Sequence, residues 1–276
     1  MSYRSVLVAT DFSAASSAAA AFARSVAPEA RAHVLHVRPM ATPSIIGSPT
    51  PAETQHEREH LHERLRDWGA RHVSPEARTH VANGSPRAEV AAQAERLEAD
   101  LVIVGAKGES DLKDKLLGST ARRVVRGSSC DVLVTRGAAA DPWPRHILLA
   151  TDLGEPAQLA AARAQALAQR AGAEVTLAHA LDLDVWRSGA EPRREEPEAR
   201  RRLVEVNAAL FGKRAQEVVA TGRPAETLAR LAAERRADIV VVGTHGGGAL
   251  ERAMLGSVAE ELVERAPCSV LVAKRA

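Results

Sequence analysis

The chain carries one sequence twice, and this duplication constrains its fold more than any other feature. Residues 99–135 and 237–273 align without gaps and share 16 identical residues in 37 positions. Nearer the start of each copy, "VLVATD" at 6–11 matches "ILLATD" at 147–152. Each copy is about 135 residues long, which is the size of a domain and larger than one unit of a solenoid.

The boundary between the copies falls in "RGAAADPWP", residues 136–144. Its glycine, proline and alanine content has no period, which is typical of a short linker. We therefore predict two domains, 1–137 and 145–276, joined by a linker at 138–144. A chain of 276 residues with 45% apolar residues is long enough to bury two such cores.

Within each copy, short runs of Val, Leu and Ile alternate with helical patterns. In the first copy we predict strands at 5–10, 31–37, 77–83, 100–105 and 130–135, and helices near 14–27, 53–72, 86–98 and 118–127. In the second copy we predict strands near 145–151, 173–180, 216–221, 238–243 and 268–273. Continuous apolar strands are typical of a parallel sheet that is buried on both faces. The expected fold is α/β, with two tandem, Rossmann-like, doubly wound domains of five parallel strands each.

Composition argues against several classes of function. The net charge is only +2 and aromatic residues make up 3% of the chain, so we expect no nucleic-acid partner. No apolar stretch approaches the roughly 20 residues needed to cross a bilayer, and the N-terminus does not resemble a secretory signal. Two cysteines, Cys130 and Cys268, are too few for a disulfide scaffold, and we expect both to be buried and inert. The expected location is the cytoplasm.

A glycine motif with the spacing Gly-x2-Gly-x9-Gly-Ser follows the fourth predicted strand of each copy. It reads "GAKGESDLKDKLLGS" at 105–119 and "GTHGGGALERAMLGS" at 243–257. Ligands of doubly wound sheets bind at the carboxyl ends of the strands. Glycine lets backbone amides approach an anion and permits positive φ, a serine can cap the following helix, and the first helical turn attracts negative charge. The motif therefore predicts that the outer phosphates of a nucleotide bind at Gly118, Ser119 and Thr120, and at Gly256, Ser257 and Val258. Gly105 and Gly108, and Gly243 and Gly246, would form the floor under the ribose and the inner phosphates.

A second candidate set of site residues ends the first strand of each copy. Thr10 and Asp11 occupy this position in the first copy, and Thr151 and Asp152 in the second. The carboxylates can accept from ribose hydroxyls or hold the water shell of Mg²⁺. The alternative is that the aspartates are helix N-caps and that the glycines only form turns. Two copies at one spacing favour the ligand-binding interpretation.

These motifs resemble those of the universal stress proteins in their tandem two-domain form. Further support comes from "LHV" at 35–37, from "GSP" and "GRP", and from "APCSVLVAK" at 266–274. The Gly-x2-Gly-x9-Gly-Ser signature is that of the family's ATP-binding branch. The resemblance implies an adenine nucleotide alpha hydrolase-like fold that binds ATP, ADP or AMP with Mg²⁺. It places the adenine near Val37 in the first copy and near Ala180 in the second.

The resemblance also implies that the two halves pair through their fifth strands, 130–135 and 268–273, as an intrachain pseudo-dimer. Antiparallel pairing would start these strands at opposite ends, with Cys130 and Cys268 roughly 15 Å apart at the rise per residue of a strand. Whether the whole chain also forms a homodimer stays open.

The two copies differ around the predicted pockets. Ser13 follows Asp11 closely, whereas the second copy has Gly154, Glu155 and Pro156 after its aspartate and leucine. The glycine loops differ in charge, with Lys107, Lys113 and Lys115 in the first copy against His245 and Arg252 in the second. Equal occupancy of the two pockets therefore does not follow from the duplication.

Four histidines have alternative interpretations. His56 and His60 lie one helical turn apart, a spacing that can bind zinc, but their highly charged segment favours a solvated helix face. His36 and His179 end equivalent strands, where a structural role or a supporting role behind the pocket is expected.

The leading functional hypothesis is an ATP-binding regulatory protein of the stress response. Neither a Walker motif nor a Gly-x-Ser-x-Gly elbow occurs in the sequence, so rapid chemistry is not expected. Slow Mg²⁺-dependent ATP hydrolysis stays open, because Asp11 or Asp152 could orient a water. The alternatives are an adenylating enzyme, for which the duplication leaves no substrate domain, and an interaction module without nucleotide.

Overall fold

A computed structural model of the chain describes seven stretches of residues. They are 3–39, 51–108, 117–137, 143–154, 157–182, 192–244 and 255–274. Each half of the described chain alternates strands with helices.

The elements of the first half are β1 (Ser5–Thr10), α1 (Ala14–Val26), β2 (Arg31–Arg38), α2 (Pro51–His72), β3 (Arg78–Asn83), α3 (Pro86–Arg96), β4 (Leu101–Gly105), α4 (Ser119–Gly127) and β5 (Asp131–Thr135). Those of the second half are β6 (His146–Ala150), α5 (Ala157–Ala171), β7 (Glu174–Leu181), α6 (Pro192–Val206), β8 (Gln216–Thr221), α7 (Pro224–Glu234), β9 (Ile239–Gly243), α8 (Ser257–Arg265) and β10 (Ser269–Ala273). A short π-helical segment, Asn207–Phe211, continues α6. The predicted strands start and end within two residues of the observed ones, which is the usual uncertainty of such boundaries.

The ten strands form one sheet in the order β3-β2-β1-β4-β5-β10-β9-β6-β7-β8. Within each half every strand pairing is parallel. The chain runs outward from β1 to β3 and then returns to the other side of β1 with β4, so the strand order reverses between β1 and β4. The same reversal occurs between β6 and β9. The predicted doubly wound α/β fold is confirmed.

The two halves meet at the pairing of β5 with β10, which is antiparallel. Leu133 lies opposite Leu271, and the register continues through Val132 and Val272. Continuing this register by two residues puts Cys130 at the Lys274 end of the strand pair and Cys268 at the opposite end. Both cysteines are free thiols; Cys130 is buried as predicted, whereas Cys268 is only partly buried. Each lies one residue before its strand and not, as predicted, on it. The predicted intrachain pairing is confirmed. We call this strand pair, with the side chains that cross it, the seam.

Apolar residues of adjacent strands continue from one half to the other on both faces of the sheet. On one face Val132, Val270 and Val240 belong to a single hydrophobic cluster. On the other face Leu133 and Leu271 belong to a second cluster. Because neighbouring residues of these strands point to opposite faces, burial on both sides explains the uninterrupted Val and Leu runs. Among the described helices, none is both long and apolar enough to cross a membrane.

Candidate functional site

The loop after the first strand has the same hydrogen bonds in both halves. The Oγ1 atom of Thr10 accepts from the amide of Phe12 at 2.9 Å, and Thr151 accepts from Leu153 at 3.0 Å. Phe12 and Leu153 both have φ of 64°, in the left-handed region that non-glycine residues rarely occupy. The backbone of this turn is therefore strained in both halves, and backbone strain of this kind is concentrated at functional sites.

Neither aspartate of these turns is the helix N-cap. The Oδ1 atom of Asp11 accepts from the amide of Ser13 at 3.0 Å, and Asp152 accepts from Gly154 at 3.1 Å. In the first half the N-cap of α1 is Ser13, whose hydroxyl accepts from the amide of Ser16 at 3.1 Å. The aspartates thus stabilise the turn itself, which fixes their carboxylates at the carboxyl edge of the sheet.

A cleft lies at the carboxyl ends of β6, β7 and β9 in the second half, with a cavity volume of about 230 Å³. Seven residues of the predicted site line it, namely Thr151, Asp152, Ala180, Gly243, Gly256, Ser257 and Val258. The structure therefore brings together the strand ends and the start of α8, as the topology requires of a doubly wound sheet.

The residues at the start of α8 line this cleft. Gly256 is the N-cap, and its carbonyl accepts the first helical hydrogen bond from Glu260 at 3.0 Å. The amides of Ser257, Val258 and Ala259 precede that bond, so the helix itself offers them no acceptor. No side chain of the described residues caps this end. All three residues line the cleft, which leaves it with a row of donors.

The predicted capping role of the serines is wrong. Ser119 and Ser257 are the first helical residues, while Gly118 and Gly256 occupy the N-cap positions without a side-chain cap. A serine at the first helical position already has helical dihedral angles, so its hydroxyl is not placed to bond the second or third amide.

Positive φ does not explain the two motif glycines that precede the helices. Gly118 and Gly256 have φ of −61° and −63°, which any residue adopts. Close approach explains Gly108 instead, because a Cβ there would lie 2.9 Å from Oδ2 of Asp11. The carboxylate that ends β1 is therefore packed directly against the glycine loop that follows β4.

The first half places its predicted residues at the corresponding strand ends and helix start. A Cβ on Gly105 would lie 3.1 Å from the carbonyl oxygen of Lys107, so this turn is also tight. Val37 is buried near the end of β2. The amide of Gly118 donates to Ala106 at 2.7 Å, which brings the start of α4, with Ser119 and Thr120, beside the end of β4.

His36 and His179 hold the ends of β1 and β6. Their Nδ1 atoms lie 2.9 Å and 2.8 Å from the carbonyl oxygens of Thr10 and Thr151. A carbonyl only accepts, so each ring carries its hydrogen on Nδ1. Burial lowers the pKa of His36, which keeps that ring neutral at physiological pH. Both histidines support the strand end that carries the aspartate turn.

The two halves differ beside this turn. Phe12 stacks on His36 with ring centroids 4.6 Å apart, and the guanidinium of Arg64 lies 4.1 Å above the Phe12 ring. The second half has Leu153 in place of Phe12 and cannot make these contacts. The two sites are therefore not equivalent next to the strained residue.

The apolar wall of the cleft was not predicted from the sequence. Pro224 and Leu228 lie on α7 and line the cleft, together with Ala157 at the start of α5 and Val242 near the end of β9. The signal was present in "TGRP", which repeats "NGSP" and directly precedes a helix. A proline at the first helical position and an apolar residue four positions later lie on one helix face.

Several predicted residues lie outside the described residues. They are Gly246, Glu155, Pro156, Lys113, Lys115, His245 and Arg252. His56 and His60 are described and exposed on α2. Among the residues that the structure describes, no group of three or more His, Cys, Asp or Glu is arranged to hold a metal ion.

The fold and the strand-end cleft define a tandem, doubly wound α/β protein, and comparison with known proteins identifies its family. The model of the universal stress protein family matches residues 2–136 and again residues 144–274. The chain belongs to the universal stress protein family.

Among relatives, a universal stress protein of Mycobacterium tuberculosis (strain ATCC 25618 / H37Rv) is 34% identical over 187 residues, covering 64% of this chain and 63% of that protein. The match thus spans less than two thirds of that relative. A universal stress protein of Thermus aquaticus is 40% identical over 136 residues, 47% of this chain and 98% of its own. The crystal structure of a universal stress protein from Archaeoglobus fulgidus DSM 4304 superimposes with a TM-score of 0.70 at 21% identity, covering 98% of this chain and 96% of the other. That structural likeness concerns the fold alone.

Proposed function

We propose that the protein binds ATP or another adenine nucleotide at the carboxyl edge of each half, and that it acts as a nucleotide-responsive regulatory protein. The observation that carries the proposal is the uncapped first turn of α8. Three consecutive amides line the cleft there, and the helix dipole adds positive potential at the same end. An anionic phosphate chain supplies the acceptors that this turn lacks among the described residues.

The charges of the residues that line the cleft indicate where each part of the nucleotide would bind. Asp152 is the one carboxylate among the described lining residues, and it would repel a phosphate placed beside it. Its place in the proposal is therefore the ribose hydroxyls, or the water shell of a Mg²⁺ ion that neutralises the phosphates. The base would occupy the apolar part formed by Ala180, Leu228 and Val242. Asp11 and Val37 take the corresponding places in the first half.

Hydrolysis of the bound nucleotide is proposed to be slow at most. Mg²⁺, when bound with the nucleotide, would lower the pKa of a coordinated water and stabilise charge on the phosphates. Thr151, Thr244 and Ser257 supply hydroxyls to the described lining, but Thr151 already accepts from the amide of Leu153. Asp152 is likewise committed to its turn through Oδ1. These commitments favour holding a nucleotide over rapidly transferring its phosphate.

Mass spectrometry of gently purified protein tests the proposal. The protein would be isolated without added nucleotide, denatured, and its small molecules identified and quantified. We expect ATP, ADP or AMP in an amount that scales with the protein. A matched preparation of a Gly118→Val, Gly256→Val variant is the control and should lose that nucleotide. Equal amounts in both preparations, or none in either after reloading with Mg-ATP, would contradict the proposal.

A further inference from the structure

At three ion pairs of the seam, one half supplies the acid and the other half supplies the base. The first is an ion pair between Asp131 at the start of β5 and Arg163 on α5, whose side chains are 1% and 11% exposed. The same carboxylate accepts from the hydroxyl of Tyr3 at 2.8 Å and from the amide of Lys274 at 2.8 Å. This buried cluster therefore takes groups from both halves.

Duplication shows what each half carries at the matching position. Ser269 stands where the first half has Asp131, at the offset of 138 that relates the glycine motifs. Phe22 stands in α1 where α5 has Arg163, because the buried pair Ala19 and Ala160 has the same offset of 141. Phe22 packs instead on Trp143, with ring centroids 4.5 Å apart. The acid occurs only in the first half and its arginine only in the second.

The second and third features are two ion pairs between the helices α4 and α8. Arg122 pairs with Glu264 at 2.9 Å, and Arg126 pairs with Glu260. These two pairs are equivalent under the pseudo-two-fold axis, since Arg122 corresponds to Glu260 and Arg126 to Glu264. The first half is thus basic where the second half is acidic.

Pairing of like halves would destroy all three features. Two first halves would set Arg122 against Arg126 and bury Asp131 against Phe22, without its cation. Two second halves would set Glu260 against Glu264 and leave the arginine of α5 facing a serine. A buried charge without its partner is strongly unfavourable, and like charges at close range repel.

A fourth contact across the seam differs from these three, because both halves contribute the same kinds of group to it. Lys274 donates from Nζ to the carbonyls of Val125 and Ser128 at 2.5 and 2.6 Å, and Arg136 donates to those of Val263 and Glu264 at 2.6 and 3.1 Å. Each half thus offers one cation and one helix end, so like halves could make this contact as well.

We propose that the seam is selective for unlike halves: the surface formed by β5 and α4 fits the surface formed by β10 and α8, and not another copy of itself. Selectivity comes from the buried acid–arginine pair and from the exchanged helix charges. The surface is thereby reserved for the other half of the chain, and this holds whether or not nucleotide binds.

The test uses the whole folded protein with a protease site inserted in the linker at 138–142. After cleavage, native mass spectrometry counts like and unlike complexes, and an isotope-labelled cleaved sample is mixed in to allow exchange. We expect complexes of unlike halves only. Like complexes in the statistical proportions of random pairing, or halves that separate on cleavage, would overturn the proposal.

Two sets of variants separate the sources of selectivity. The Arg122→Glu, Arg126→Glu variant should weaken the unlike complex about tenfold, and adding Glu260→Arg and Glu264→Arg should restore it, since all four residues lie on the helix surface. The Asp131→Ser, Arg163→Phe variant gives both halves the same residues at the positions of the buried pair, while the helix charges stay as they are, and it should allow some like complexes to form. If the variant with all four helix charges exchanged does not recover the unlike complex, the helix charges are not a cause of selectivity. If the Asp131→Ser, Arg163→Phe variant still forms only unlike complexes, the buried pair is not a cause.

Discussion

The amide of Gly256 donates a hydrogen bond to the carbonyl oxygen of Thr244, with 2.5 Å between nitrogen and oxygen. Gly118 donates in the same way to Ala106 at 2.7 Å, so both halves join the end of the fourth strand to the start of a glycine-led helix. The N-cap amide is thereby used, and the next three amides stay available for an anion. In both halves the glycine loop is closed at its ends by one backbone bond.

A ligand held by these amides should stabilise the folded protein. ATP that binds only the folded state raises the free energy of unfolding by about 2.7 kcal/mol at a hundredfold excess over Kd for one site. Thermal melts with and without Mg-ATP should therefore show a concentration-dependent rise in Tm. A parallel phosphate-release assay should show turnover far below about 10 s⁻¹, the median of enzymes. Turnover of several per second would place the protein among the enzymes instead.

The seam should be visible in the titration of the chain's single tyrosine. Burial raises the pKa of Tyr3 well above its ordinary value, and the neighbouring Asp131 carboxylate adds to the shift. The unfolded chain releases the phenolic proton near pH 10 while the folded chain keeps it. The stabilisation that Tyr3 contributes should therefore be fully present below pH 10 and be lost as the pH rises through the folded-state pKa of Tyr3.

Ultraviolet absorbance of the phenolate measures this directly. Native protein should show no phenolate signal at pH 10, whereas protein in urea should titrate there. An Asp131→Asn variant is the control, since it removes the neighbouring charge and should lower the pKa of Tyr3. Normal titration of Tyr3 in the native protein would contradict the buried network.

Replacing Lys274 by Met should destabilise the protein. The ammonium group donates to two carbonyls at the end of α4, so its removal leaves buried acceptors without a donor, at a cost of roughly 1–3 kcal/mol. Urea unfolding measures the change. Arg200→Ala, which removes an exposed i,i+4 pair with Glu196, is a matched control and should cost less than about 0.5 kcal/mol. Equal effects of the two substitutions would refute the capping role.

Both thiols should be unreactive in the folded protein. Burial raises the pKa of Cys130 to about 11 and that of Cys268 to about 12. Because the thiolate is the nucleophile, an aromatic disulfide reagent at pH 8 should label neither residue until the protein unfolds. Fast labelling of native protein would show that one of the thiols is exposed and ionised.

Much of this fold could be predicted from the sequence, because duplication and uninterrupted apolar strands leave few alternatives. The antiparallel β5–β10 pairing followed from a family resemblance, which the register of Leu133 with Leu271 now matches. The capping role of Ser119 and Ser257 could not be judged from spacing, since a shift of one residue decides whether a serine is the N-cap or the first helical residue.

Other parts of the site depend on contacts between distant segments. The sequence does not reveal that Gly108 packs on Asp11, because this contact depends on how two loops meet across the sheet edge. The "TGRP" motif indicates that Pro224 and Leu228 share a helix face, but it does not reveal that this face lines the cleft. The ion pair of Asp131 with Arg163 joins the halves, and neither residue has a charged counterpart in the other copy.

Titration calorimetry of Mg-ATP into the wild-type protein and into the Gly118→Val, Gly256→Val variants tests the central claim most directly. A valine at the N-cap position puts branched carbon where the phosphates would approach, and it costs the helix only about 1 kcal/mol. Saturable binding to the wild type, loss of one site in each single variant and loss of both in the double variant are expected, with circular dichroism unchanged. Binding to the double variant as tight as to the wild type would show that the glycine-led helices do not hold the nucleotide.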